Sequence, residues 1–251
     1  MMLVGCEYAC NYIAKMRKAD MQNTDLPPFE SMKEMSTATA ASLTKAAAGS
    51  AFTLFKDKAF RRLARFDALP VTEHDRIFNE LLIAGLTLQM LTLEAPDLHI
   101  PDDMRPFLKQ VAGEIPEAHV RELATLGISE ENQCEWRQLI GMRYQEYAGD
   151  RHKARAASMQ IEIEATRRPL DLEALDGIQA MVPVQVVAIG SHCHICRGKT
   201  EGYDELFKFM LHHLSRFYVE MRLAYEGRPL TPLTRAMIAV KRLFRKSRGE
   251  K

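Results

Sequence analysis

Apolar residues recur every three or four positions along most of this chain, the period of an α-helix with one buried face. The spacing predicts a short helix near the start (Cys6, Cys10, Ile13) and a break at Thr24–Pro28. Residues 36–50, STATAASLTKAAAGS, read as a small-residue helix, and residues 51–67 present Phe52, Phe55, Ala59, Leu63 and Phe66 on one face. Thr72 is the expected cap of a strongly apolar helix that ends before Pro96, and two short helices follow, opened by Asp102 or Asp103 and by Pro116. Ser129 begins a long helix to about Arg167, with Trp136, Leu139, Ile140, Tyr144 and Tyr147 at helical spacing and a potential division after Gly149. Leu206, Met210, Leu214, Phe217 and Met221 mark a helix from about Tyr203 to Tyr225, and a last one follows Thr231-Pro232. The run Val182–Ile189 is rich in β-branched residues but does not alternate. One strand cannot make a sheet, so it reads as a buried helix or an extended connector.

This pattern gives an all-α fold, a multi-helix bundle or layered helical domain of roughly eight helices with no significant sheet. The expected organisation is a single domain over 1–251, with 1–28 loosely attached and 246–251 a frayed basic tail. A chain of 251 residues can bury a sizeable core without disulfide staples. Five scattered cysteines argue for a reducing compartment, and the expected location is the cytoplasm. The start MMLVGC resembles a lipoprotein cleavage box but lacks the charged and apolar stretches of an export signal. The longest apolar run, Leu81–Leu93, is too short to span a bilayer.

Net charge is +1, so bulk charge does not point to nucleic acid. Its distribution is uneven. Residues 70–135 carry thirteen acids against four bases, about −9, which leaves about +10 on the remainder. Those halves can pair within one chain, between copies of it, or with a charged protein partner. Arg235–Lys251 holds seven basic residues around Met237, Val240 and Phe244. Such a basic amphipathic helix suits an anionic membrane surface or a partner's groove, or simply packs on the core with a solvated basic face.

The chemistry concentrates in VVAIGSHCHICRGKTEGYDEL, residues 186–206. Gly198-Lys199-Thr200 matches the tail of a phosphate-binding loop, but Cys193 stands where the first glycine belongs, and no nucleotide is expected. Cys193 and Cys196, two residues apart, can direct both thiolates at one zinc ion, with His192, His194 and the more distant His213 as further ligands. His213 lies at the edge of the apolar stripe of its helix, whereas His212 points nearly the opposite way. A C-x-x-C at a helix start can alternatively hold an acidified thiolate nucleophile, with His192 or His194 assisting. Residues 186–200 resemble a short stretch of the carboxymuconolactone decarboxylase-like alkylhydroperoxidases, an all-α family that uses such a pair. That family's pattern continues C-x2-C-x3-His, and Thr200 occupies the histidine position here. The two cysteines can also be plain buried apolar residues.

No Glu-x-x-His pair, H-E-x-x-H, G-x-S-x-G or G-x-G-x-x-G is present. A Glu/His site between the helices carrying Glu73, His74 and Glu80, and Glu146 and His152, is a further option. The leading expectation is a helical binding module with a zinc-type site at Cys193/Cys196. The alternative is a thiol-dependent oxidoreductase using the same pair.

Overall fold

A computed structural model describes residues 31–167, 170–199 and 204–227. Within them lie seven α-helices and no strand. They are α1 (Met32–Lys56), α2 (Lys58–Leu63), α3 (Val71–Leu93), α4 (Arg105–Thr125), α5 (Glu130–Thr166), α6 (Leu172–Ile195) and α7 (Glu205–Tyr225). The short helix expected near Cys6 and the basic helix of 231–251 fall outside the described residues.

The most apolar segment becomes the centre. Every residue from Glu80 to Leu93 is buried, as a helix apolar on all sides requires. α3 touches α1, α4, α5, α6 and α7. Gly85 lets α1 approach closely, because a Cβ there would sit 3.2 Å from the Cβ of Ala47. Buried Gln89 ties the same pair together, donating from Nε2 to the carbonyl of Leu43 at 2.9 Å. The small residues of 36–50 are thus the means by which two backbones come together, and α1 runs unbroken from them to Lys56.

Asp57 ends α1 and caps α2, its Oδ1 accepting from the amides of Ala59 and Phe60. α3 starts at Val71 after Pro70, so Thr72 sits within the first turn and is not the cap. The two short helices expected after Pro101 merge into α4, which carries Pro116 inside it. α5 begins where expected, with Ser129 as its cap, and passes through Gly149 without dividing. The β-branched run 182–189 is a buried helix, part of α6, with Pro183 internal and Val182, Val184, Val187 and Ala188 in the core. Tertiary burial overrides local β preference there.

Over Ala174–Ile195, α6 is long and apolar enough to cross a membrane by length and composition, with 39% of that window buried inside the fold. In the fold α6 is wedged among α3, α5 and α7.

Four acids of the acidic middle pair with arginines later in the chain. Glu80 pairs with Arg143, Glu117 with Arg137, Asp97 with Arg222 and Glu73 with Arg197. These four pairs tie α3, α4 and the loop between them to later parts of the chain.

Candidate functional site

Helix α6 ends at the C-x-x-C. Cys193 lies in its last turn and Cys196 is its C-cap. Both thiols are free and half-buried. Three helical residues apart, the two Cα atoms stand about 5 Å from one another, inside the range a disulfide spans. The site is therefore at a helix end, not at the helix start the thiolate reading assumed. The negative pole of the helix dipole works against thiolate there.

A half-buried cation offsets that pole. Arg76 on α3 donates from Nη1 to the carbonyl of His194 at 2.8 Å and from Nη2 to that of Ile195 at 2.9 Å. Glu73, one turn earlier, holds Arg76 at 3.0 Å and also takes Arg197. These two guanidinium groups keep the Glu73 carboxyl below its ordinary value, Arg197 having the larger effect. Arg197 and Gly198 both adopt positive φ, 53° and 71°. Gly198 takes this without strain and closes the helix, donating its amide to the Cys193 carbonyl at 2.9 Å. Arg197 is a non-glycine in the left-handed region, beside the candidate site, and the Glu73 pairing fixes it.

The two flanking histidines diverge. His192 is buried, and its Nε2 lies 3.0 Å from Asp204 Oδ1 and 3.6 Å from Cys196 Sγ. Asp204 is also the N-cap of α7, accepting from the Phe207 amide at 2.7 Å, so the imidazole partner is anchored by a helix start. Burial pushes the Cys196 thiol up from its ordinary value, and the Asp204 and Cys193 charges push it the same way, while Arg76 pulls it down. His194 turns to α5, its Nε2 at 2.9 and 3.0 Å from the two Glu146 carboxylate oxygens. Arg143 joins Glu146 at 3.4 Å and Glu80 at 2.9 Å. Glu80 and Glu146 do meet between α3 and α5, but around a guanidinium, while His74 bonds the Phe66 carbonyl.

His213 does face inward, as its position predicted, but towards α1. Its Nε2 is 3.0 Å from Ser50 Oγ and 3.2 Å from the Ser50 carbonyl. Burial lowers its pKa, the largest effect on it. Of the five residues expected at a zinc site, the structure groups Cys196 with His192 and sets Cys193 one turn away on the same helix. It directs His194 and His213 to other partners. Among the described residues, no group of three or more His, Cys, Asp or Glu is placed to hold a metal ion.

No family model, curated protein or solved structure matches this chain. The chemistry is therefore read from the site itself. Sequence reasoning missed Asp204 and Arg76 as parts of it. The one legible signal was Asp204 before an apolar helical stripe, a capping pattern; nothing local marks Arg76, which reaches the site across 118 residues of chain.

Proposed function

We propose that this chain is a thiol–disulfide exchange protein, with Cys193 and Cys196 as its working pair. The observation that carries the reading is the contact of Cys196 Sγ with His192 Nε2 at 3.6 Å, with Asp204 on the same nitrogen at 3.0 Å. The nitrogen that meets the Asp204 carboxylate carries a proton, so it is an N–H donor placed beside Cys196 Sγ to stabilise its thiolate. The spacing of the pair supports closure to a disulfide with little backbone movement.

Cys196 rests as the thiol, so first attack falls to Cys193. Its thiolate attacks one sulfur of a substrate disulfide, forms a mixed disulfide and expels the other half as a thiolate, which is protonated. Cys196 then gives up its proton to solvent, its thiolate sits beside the His192 N–H, and it attacks Cys193 Sγ. The second substrate thiol leaves and takes up a proton, and the Cys193–Cys196 disulfide remains. One dithiol is oxidised and one substrate disulfide is reduced to two thiols.

The zinc-type binding module needs further ligands from His194 or His213, and the contacts of both lie with Glu146 and Ser50. The exchange reading requires no residue to move between elements. To test it, the reduced chain is incubated with glutathione disulfide and followed by intact mass and peptide mapping. The expected product is an internal Cys193–Cys196 disulfide. Cys196→Ser should accumulate glutathione on Cys193, and Cys193→Ser should not accumulate it on Cys196. A pair that stays reduced, or that is shielded until a chelator is added, overturns the exchange reading.

A further inference from the structure

Tyr147 on α5 is nearly fully buried, at 1% exposure, and its hydroxyl has no hydrogen-bond partner among the described residues. Buried hydroxyls rarely stay unpaired, and phenylalanine would fill the same space without one. Its position is specified by Gly190 on α6. A Cβ at Gly190 would lie 2.1 Å from Tyr147 Cε1 and 2.7 Å from Cδ1, so the ring occupies the notch that the glycine leaves. Cys193 and His194 are three and four residues beyond Gly190, on the same face of the helix. The rings of Tyr147 and His194 have their centroids 6.4 Å apart. The carboxylates near the hydroxyl are committed elsewhere, Glu80 to Arg143, and Glu146 to Arg143 and His194.

We infer that the Tyr147 hydroxyl is a positioning donor for Cys193, giving its hydrogen bond to Sγ when that sulfur carries the attacking charge. This rests on the exchange reading and adds a residue to it. Burial keeps the phenol protonated, and Cys193 lies within electrostatic reach of it, so the group stays a donor throughout the reaction. The Gly190 notch brings this donor to a helix end where the dipole offers the sulfur none. A donor on the charged form favours that form.

The test uses the full chain with Cys134 and Cys196 replaced by serine, so that Cys193 is the reacting thiol among the described residues, with its adduct located by peptide mapping. Iodoacetamide alkylation of Cys193 is timed at neutral pH with Tyr147 and with Tyr147→Phe. The phenyl ring of Tyr147→Phe fills the same notch, and matched melting curves establish that both variants fold. The inference predicts roughly three- to tenfold slower alkylation in Tyr147→Phe, since a lost donor lowers the thiolate fraction while partly raising its intrinsic nucleophilicity. It also predicts a tyrosine difference band in the near ultraviolet when Cys193 is alkylated, absent from Tyr147→Phe. Equal rates and no difference band overturn the role of Tyr147. Failure of the otherwise unaltered chain to form the Cys193–Cys196 disulfide is a separate result and overturns the exchange reading beneath it.

Discussion

The Gly190–Tyr147 contact makes the sharpest claim about how α5 and α6 are locked. Gly190→Ala adds one methyl 2.1 Å from Tyr147 Cε1, where carbon atoms ordinarily rest about 3.5 Å or more apart. The ring would have to retreat by about 1.5 Å, and it is enclosed on all sides. Overpacking of this kind costs about 1–3 kcal/mol, and a rigid ring belongs near the top of that range. Alanine regains about 1 kcal/mol of helix propensity, so the net loss should be about 2 kcal/mol. Tyr147→Ala alone should cost about 3 kcal/mol or more. In that background the added methyl meets open space, and Gly190→Ala should stabilise by about 1 kcal/mol. The coupling energy of the cycle is then about 3 kcal/mol, measured by urea unfolding of the four proteins. Equal effects of Gly190→Ala in both backgrounds would refute the notch.

Three further outcomes follow from buried charge and from the site. Burial lowers the His119 pKa to about 4 from an ordinary 6.5, with its ring edge-on to Trp136 at 4.9 Å. The unfolded chain binds that proton first, so stability is intact above pH 6.5 and declines as pH falls towards 4. The loss is about 3 kcal/mol, and urea unfolding across this window should show it in the wild type and not in His119→Leu. Arg143→Met leaves Glu80 buried at 7% exposure without its guanidinium, and should cost about 2–4 kcal/mol in the same assay. Pairing it with Glu80→Gln should recover part of that loss. Asp204→Ala removes both the α7 cap and the carboxylate on His192. It should lower stability by about 1 kcal/mol, yet speed closure of the mixed disulfide, because it removes a charge that pushes the Cys196 thiol up and leaves the His192 N–H to the sulfur; quenched mass spectrometry reads the rate.

What the sequence made legible is what periodicity carries. The stripes of α3, the first half of α5 and α7 appeared in their expected places because each buries one face or the whole helix in a common core. The start of α5 was legible, and Ser129 caps it, whereas the cap expected at Thr72 was misread because Pro70 sets the start of α3. The run 182–189 was ambiguous because short apolar segments fit strand or buried helix equally, and only its neighbours α3, α5 and α7 decide. The cysteine pair and its flanking histidines were visible as a motif. Their partners were not, since Arg76, Glu146 and Asp204 come from three other elements. Helical spacing correctly turned His213 inward, but spacing on one helix does not say which neighbour it meets.

The central claim is that Cys193 and Cys196 act as one redox unit. A direct measurement equilibrates the chain in thiol–disulfide buffers of graded potential and counts free thiols by alkylation and peptide mass. The account predicts that these two thiols disappear together along a single two-electron curve, about 30 mV per decade, while exposed Cys134 does not join them. Independent behaviour of Cys193 and Cys196, or a pair that stays reduced at every potential, would contradict it.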